Sequence, residues 1–145
     1  KSNENRSKLL LKRIYEILNN KVKKKNISFL GVTFKANTDD MRDSSSLTMI
    51  PELSKKGSLI NYYDPTGSKS DFKKYKNVQY SKSVEDCVVK ADLIIIHTEW
   101  NDFKSLNFKK LLKNKRTIIY DMRNLYSPIK MKKQNIKYFS VGRSF

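Results

Sequence analysis

Residues 27–47 read ISFLGVTFKANTDDMRDSSSL, and this stretch decides the fold. An apolar run ends at Gly31, charged residues follow at once, and three serines then open a second apolar pattern. This order predicts a buried strand, a polar loop and the start of a helix. Ligands of open α/β sheets bind outside the carboxyl ends of the strands, so we expect the charged loop to lie at a ligand site.

The composition is that of one folded domain with a polar surface. The 145 residues suit a single hydrophobic core, and 38% of them are hydrophobic while 31% are charged. No apolar run approaches the roughly 20 residues that a membrane span needs, and no charged-then-apolar leader argues for secretion. The single cysteine excludes an internal disulfide, so we predict a cytoplasmic location without membrane contact.

The formal net charge of +17 raises the question of nucleic-acid binding. The lysines are spread over the whole chain in short groups, interleaved with Asn, Tyr and Ile. This distribution favours solvated helix faces, which makes nucleic acid an unexpected partner. A free-standing basic module that binds nucleic acid nevertheless stays open as an alternative function.

Helix-like and strand-like patterns alternate along the chain. Apolar residues at helical spacing predict a first helix over residues 3–22, with Leu10, Ile14 and Ile17 on one face. The alternation that follows predicts an α/β fold with a doubly wound, mostly parallel sheet of about six strands. The predicted strands are residues 27–32, 59–64, 78–81, 91–98, 117–121 and 137–141, and the predicted helices are residues 46–56, 68–75, 84–90, 108–114 and 128–134.

Cationic residues follow two of the predicted strands. Lys35 and Arg42 come after the first strand and Arg123 after the fifth, so we expect three cations at one edge of the sheet. The next helix would add backbone N–H groups there, with Ser44 or Ser45 as its N-cap. A helix start with two or three cations suits a phosphate or diphosphate, which arginine binds bidentately.

Other residues near this edge have two interpretations. Phe34 and Trp100 are candidates for an aromatic wall against a base. The acidic residues Asp39 and Asp40 precede Arg42 closely, so these three side chains could instead form a salt-bridged cap of the loop. The spacing alone does not decide whether Arg42 binds an anion or pairs with these carboxylates.

Motifs for further chemistry are missing from the sequence. A dinucleotide-binding turn needs G-x-G-x-x-G, whereas the corresponding turn here reads GVTFKA, so we do not expect NAD to bind in that manner. Cys87 lies in a predicted helix, where a free cysteine usually behaves as a small hydrophobe. The lone His97 argues against a metal site and is expected to be a hydrogen-bonded residue at the rim. The residues alone predict a phosphate-ligand-binding domain without catalytic residues.

Five motifs follow one another along the chain: LGVTFKANTDDMRDSSSL at 30–47, YDP at 63–65, ADLIIIHTEWNDFKSLNF at 91–108, YDMRNLYSP at 120–128 and YFSVGR at 138–143. In this order they resemble the carboxyl-terminal UDP-binding domain of the UDP-glucose/GDP-mannose dehydrogenase family. The wording of the third and fourth motifs is most similar to the bacterial branch that oxidises UDP-glucose. The branches that use UDP-N-acetylhexosamines or GDP-mannose are the alternatives.

The resemblance implies part of a longer, NAD-dependent oxidoreductase. Residues 25–145 would be its Rossmann-like UDP-binding domain, and residues 1–24 the end of a central helix that connects two domains and takes part in a dimer or larger assembly. NAD and the catalytic cysteine would belong to the amino-terminal part, so this chain alone is expected to be inactive. The family reaction converts UDP-glucose to UDP-glucuronate with two NAD⁺, for use in polysaccharide biosynthesis.

The resemblance also implies roles for individual residues. Phe34 and Lys35 match the family's nucleotide-contacting pair, Arg123 matches the arginine that reaches UDP, and Arg42 matches the arginine of the DDMRD motif. A purely interacting role, with the first helix serving dimerisation, is a further alternative. The residues expected to shape the site are Asp39, Asp40, Ser44, Trp100 and Asp121.

Overall fold

A six-stranded sheet forms the centre of the computed structural model, which describes residues 2–114 and 116–141. The strand order is β3-β2-β1-β4-β5-β6, and each described strand pair is parallel. This is the doubly wound order of Rossmann-like domains, so the predicted fold class is confirmed. The strands β1 to β6 are Asn26–Leu30, Leu59–Tyr63, Val78–Tyr80, Leu93–Ile96, Ile118–Asp121 and Lys137–Ser140.

Helices cover both faces of the sheet and create two buried clusters. Helices α1 and α2 pack on one face, and α3, α4 and α5 contribute buried residues on the other. All four residues of β4, LIII, are buried, as expected for a strand covered on both sides. Within the described part of the chain, no helix has the length and apolar composition that a bilayer crossing requires. The helices α1 to α5 are Ser2–Ile17, Ser46–Lys55, Val84–Val88, Phe108–Leu111 and Pro128–Lys133.

Helix α1 is shorter than its apolar spacing predicts. It ends at Ile17, whereas the spacing of apolar residues continues to Val22. Asn19 and Asn20 have φ of 53° and 62°, a left-handed conformation that asparagine tolerates better than most residues. The N–H of Asn20 donates to the carbonyl of Tyr15 at 2.7 Å, which closes the helix end.

The apolar stripe of α1 packs on the sheet of its own domain. Leu10, Ile14 and Ile17 are 6%, 0% and 9% exposed and belong to the same buried cluster as Phe29 of β1. These side chains are covered by the sheet of their own domain, and the dimer contact that the resemblance implies for the central helix stays a prediction. The domain division at residues 24 and 25 stays a prediction.

The short connecting elements follow the sequence less closely. The predicted helix over residues 68–75 is only a 3₁₀ turn, Ser70–Phe72, and a second turn, Asn101–Phe103, is absent from the predictions. The end of the helix predicted over residues 46–56, in contrast, is confirmed, and Gly57 follows it directly. Its φ is +93°, and the N–H of Ser58 reaches back to the carbonyl of Leu53 at 3.0 Å, as in a Schellman motif.

Gly31 allows β1 to approach β4 closely at the start of the charged loop. Its φ is +81°, and a Cβ there would lie 2.5 Å from Thr98 Cβ. Gly67 has a similar φ of +96° but no atom within 4 Å of the corresponding Cβ position. Both alanine variants introduce left-handed strain, and only Gly31→Ala adds overpacking. We expect Gly31→Ala to lose about 1 to 3 kcal/mol more unfolding free energy than Gly67→Ala in urea denaturation. Equal losses would contradict the close approach of the two strands.

Candidate functional site

A small pocket lies at the carboxyl edge of the sheet, above the point where the strand order reverses between β1 and β4. The cavity measures about 40 Å³, whereas one water molecule takes about 30 Å³ in the liquid. It therefore has room for one small polar group and not for a whole nucleotide. Its lining residues are Arg6 and Leu10 of α1, Phe34, Asp43 and Ser45 from the β1–α2 loop, His97 after β4, and Met122 and Arg123 after β5.

The three predicted cations do not share this pocket. Arg123 lines it and donates from Nη2 to Glu99 Oε1 at 3.0 Å. Arg42 instead donates from Nε and Nη2 to the carboxylate of Asp40 in an exposed ion pair. Hydrogen bonds from Arg42 lower the pKa of Asp40 to about 2, with a smaller contribution from the nearby Lys35.

For Asp40 and Arg42, the alternative of a salt-bridged loop is confirmed. The expected convergence of Lys35, Arg42 and Arg123 on one anion is not seen in the described geometry. The reason is local: Asp40 is two residues from Arg42 and captures its guanidinium. The UDP contacts assigned to Phe34, Lys35, Arg42 and Arg123 stay predictions.

The start of α2 differs from the expected N-cap. Ser45 occupies the N-cap position, but its hydroxyl bonds to Nε2 of His97 at 2.9 Å and caps no helix N–H. The hydroxyls of Ser44 and Ser46 both donate to the carbonyl of Val32 at 2.6 Å, so both connect the start of α2 to the loop after β1. The Ser46 N–H donates to Ser44 Oγ at 3.3 Å, and the next two N–H groups bond to carbonyls of the turn. These groups are used within the protein, so the expected anion site at the start of α2 is corrected.

His97 lines the pocket, and a chain of hydrogen bonds fixes the tautomer of its imidazole. Thr98 Oγ1 donates its only proton to the carbonyl of Thr33 at 2.9 Å. At 3.0 Å from His97 Nδ1 it must therefore accept, so Nδ1 carries the imidazole proton. Nε2 is then an acceptor, and the hydroxyl of Ser45 donates to it. His97 is thus the hydrogen-bonded residue at the rim that the sequence predicts.

His97 contributes no positive charge to the pocket at neutral pH. It is 5% exposed, and burial, followed by the guanidinium groups of Arg123 and Arg6, lowers its pKa to about 3. The charge of the pocket is therefore set by two arginines and by the carboxylate of Asp43.

Asp121 holds the loop that carries Arg123. The carboxylate is fully buried, and its Oδ1 accepts from the Arg123 N–H at 3.0 Å. Oδ2 accepts from the N–H groups of Leu125 and Tyr126 at 2.7 and 3.0 Å and from the hydroxyl of Tyr138 at 2.6 Å. A buried carboxylate needs such donors, and they fix the loop in return. The role of Asp121 in shaping a UDP site stays a prediction.

Asp64 holds the loop on the other side of the pocket, which sequence reasoning missed. It is fully buried at the end of β2, and its Oδ2 accepts from the Val32 N–H at 2.9 Å. Oδ1 accepts from the N–H and the hydroxyl of Thr66 at 3.0 and 2.6 Å. Dinucleotide-binding folds use an acidic residue near this place to bind a ribose hydroxyl. Here both oxygens accept hydrogen bonds from the protein.

The expected aromatic wall is present only in part. Phe34 is 49% exposed and lines the pocket. Trp100 is 7% exposed and packs with Phe103 in the second buried cluster, so it offers no open face to a base. Asp39 is exposed on the loop.

Residues with reactive side chains elsewhere do not form a second centre. Cys87 is 1% exposed, and burial raises the pKa of its thiol to about 12, which agrees with a small hydrophobe. Among residues 2–114 and 116–141, no three His, Cys, Asp or Glu side chains gather as metal ligands would.

The sequence contains a signal for one residue of the pocket that was missed. Arg6 precedes Leu10 by one helical turn and Ile14 by two, so it lies on the same face of α1 as the buried stripe, although its own side chain is exposed. Asp43 has no such signal, because its place depends on a left-handed turn with φ of 60°. The motif at 138–143 ends with Gly142 and Arg143, which lie outside the described residues.

The doubly wound sheet with an arginine-lined pocket at its switch point defines an α/β ligand-binding domain. Residues 28–128 match the UDP binding domain of the UDP-glucose/GDP-mannose dehydrogenase family, and the chain belongs to this family.

Known relatives support this assignment over nearly the whole chain. The UDP-glucose 6-dehydrogenase of Rickettsia conorii is 37% identical over 145 residues, 98% of this chain and 34% of that protein. That of Rhizobium meliloti is 32% identical over 142 residues, 97% of this chain and 32% of that protein. The chain thus spans about a third of the length of these curated relatives.

Solved structures share the fold. The UDP-D-ManNAc dehydrogenase of Pyrococcus horikoshii superposes with a TM-score of 0.68 at 28% identity, over 94% of this chain and 30% of that one. The NDP-N-acetyl-D-galactosaminuronic acid dehydrogenase of Methanosarcina mazei gives a TM-score of 0.77 at 24% identity, over 96% and 29%.

The buried His97 makes stability depend on pH. Its pKa is about 3 in the folded protein and about 6.5 in an unfolded chain, so below pH 6.5 protons bind preferentially to the unfolded chain. We expect this group to remove about 1.4 kcal/mol of stability per pH unit as the pH falls from 6.5 towards 3. Urea denaturation at pH 7.5, 6.0 and 5.0 measures it, with His97→Gln as the control that lacks the titration. A wild-type slope no steeper than that of the variant would contradict the neutral, buried imidazole.

Proposed function

We propose that this chain binds the UDP part of UDP-glucose, as the carboxyl-terminal substrate domain of an NAD-dependent UDP-glucose 6-dehydrogenase. The observation that carries the proposal is the position of Arg123. This residue matches the arginine by which the family reaches UDP, and it lines the pocket at the switch point on a loop fixed by Asp121. The UDP-glucose 6-dehydrogenases at 32% and 37% identity favour UDP-glucose over GDP-mannose or a UDP-N-acetylhexosamine.

The contribution of this chain is binding and orientation. A whole enzyme of this kind would oxidise UDP-glucose to UDP-glucuronate, and NAD would supply the hydride acceptor when bound. We assign the reacting groups to a part of a longer protein outside this chain. Contacts to the nucleotide, remote from the sugar C6, would then supply binding energy that holds C6 in place for the reaction. The chain alone is expected to bind nucleotide and to lack activity.

NAD is assigned to that other part of the enzyme for a structural reason. The turn after β1 has one glycine, and both carboxylate oxygens of Asp64 accept hydrogen bonds from Val32 and Thr66. A dinucleotide there would find no free acidic group for its ribose.

Assembly and location are proposed more generally. A dimer or larger assembly through α1 would use the outer face of the helix, where Leu9 is 68% exposed, because the inner face is covered. The cytoplasmic location, inferred from the single cysteine, stays a prediction.

Titration calorimetry of the chain with UDP and UDP-glucose tests the proposal. We expect Arg123→Ala to weaken UDP binding about 10- to 150-fold, because one charge-assisted contact contributes about 1.5 to 3 kcal/mol. Lys35→Ala, the other cation of the family match, should also weaken it. Arg116→Ala is the matched control, since this exposed arginine precedes β5 at the opposite edge of the sheet.

The outcomes separate the alternatives. Equal UDP affinity in Arg123→Ala and Arg116→Ala would overturn the proposed site. Tight binding of a DNA or RNA duplex that falls steeply with salt, together with indifference to UDP, would instead favour the basic nucleic-acid module suggested by the charge of +17.

A further inference from the structure

Two guanidinium groups from distant parts of the chain meet at the pocket. Arg6 belongs to α1, and Arg123 follows β5 at the other end of the sequence. Both groups lower the pKa of the buried His97, so both lie near enough to act on the same imidazole. Helix α1 and the loop after β5 thus bring two permanent positive charges to one cavity.

Both arginines retain hydrogen-bond donors for a ligand. Arg123 uses Nη2 for Glu99, which leaves most of the five N–H groups of its guanidinium. For Arg6, no ion pair occurs with any residue in the ranges 2–114 and 116–141. A carboxylate, that of Asp43, also lines the cavity and reduces its net positive charge.

The other side chains of the cavity have no proton to give. The hydroxyl of Ser45 donates to His97 Nε2, and His97 Nδ1 donates to Thr98. Both therefore offer the cavity no N–H or O–H. Among the lining side chains, the donors are thus the two arginines, since Leu10, Phe34 and Met122 are apolar and Asp43 accepts.

We propose that Arg6 and Arg123 together bind one oxyanion group in this cavity. Resting on the function proposed above, that group is a phosphate of the UDP moiety. A cavity of about 40 Å³ holds one such group partly inserted, and two planar guanidiniums can each donate to it bidentately. Helix α1 then supplies a substrate-binding residue in addition to packing on the sheet.

The competing arrangement is an internal pair between Arg6 and Asp43. In that case the carboxylate of Asp43 would occupy Arg6, and the ligand would depend on Arg123 alone. The two arrangements predict different effects of removing Arg6, which contacts the oxyanion directly in the first arrangement and does not contact it in the second.

The experiment measures binding of UDP, pyrophosphate and uridine by calorimetry to the full chain and its variants. We expect Arg6→Ala to weaken UDP and pyrophosphate about tenfold or more and to leave uridine unchanged. The affinity of Arg6→Lys for UDP and pyrophosphate should lie between that of the wild type and that of Arg6→Ala, because lysine keeps the charge and loses the bidentate geometry. Lys12→Ala, an exposed cation on another face of α1, is the matched control and should bind as the wild type does.

Neutralising the carboxylate gives a test of the opposite sign. Asp43→Asn should bind UDP more tightly, since a carboxylate beside an oxyanion repels it. Asparagine tolerates the left-handed backbone at this position, so the variant is expected to fold, and its urea midpoint checks this.

Two results overturn the inference. If Arg6→Ala binds UDP as the wild type does while Arg123→Ala does not, Arg6 is no ligand and the proposed function stands. If the wild type does not bind UDP, the proposed function fails, and the pyrophosphate titration decides about the cavity. If the wild type binds pyrophosphate and Arg6→Ala does not, the two-arginine site is upheld. If the wild type does not bind pyrophosphate, the two-arginine site is rejected.

Discussion

Two fully buried carboxylates organise the carboxyl edge of this sheet. Asp64 at the end of β2 accepts the N–H of Val32, and Asp121 at the end of β5 accepts the N–H of Arg123. A carboxylate removed from water is costly unless donors surround it. Each aspartate takes these donors from a loop, so the loops on either side of the β1–β4 switch point are fixed by the same interaction that makes the buried charge tolerable.

The loops that the two aspartates fix determine which side chains reach the pocket. Phe34 lies on the loop that begins at Val32, and Arg123 lies on the loop that follows Asp121. Both side chains therefore reach the pocket from a backbone that a buried aspartate fixes. Between them His97 is neutral and hydrogen-bonded on both nitrogens. The charge of the pocket therefore does not change with the protonation of its histidine between pH 5 and 8, which suits a site for an anion that is always ionised. Under the proposed function, such a site would anchor the nucleotide and leave the chemistry to other groups.

The strands and most helices could be predicted because buried elements contain apolar runs that are visible in the sequence. Strand β4 reads LIII for this reason, and Gly57 marks a helix stop through its left-handed backbone. The end of α1 was missed, because apolar residues continue past the two asparagines that close the helix.

The side chains of the site were harder to predict than the backbone. Arg42 was expected at the pocket but pairs with Asp40 two residues away, since an exposed guanidinium binds the nearest carboxylate. Trp100 was expected to be open and is buried, because its ring belongs to the second buried cluster together with Phe103. Arg6 reaches the pocket only through the packing of α1, which the loop sequence does not reveal.

Amide hydrogen exchange measured by NMR tests the central claim, that buried aspartates hold the loops of the site. The N–H groups of Val32, Leu125 and Tyr126 lie outside the strands but donate to Asp64 or Asp121. They should exchange as slowly as the amides of β4, orders of magnitude slower than the exposed loop residue Asn37. Exchange of all three at the rate of Asn37 would show that the carboxylates do not fix the loops and would contradict the account.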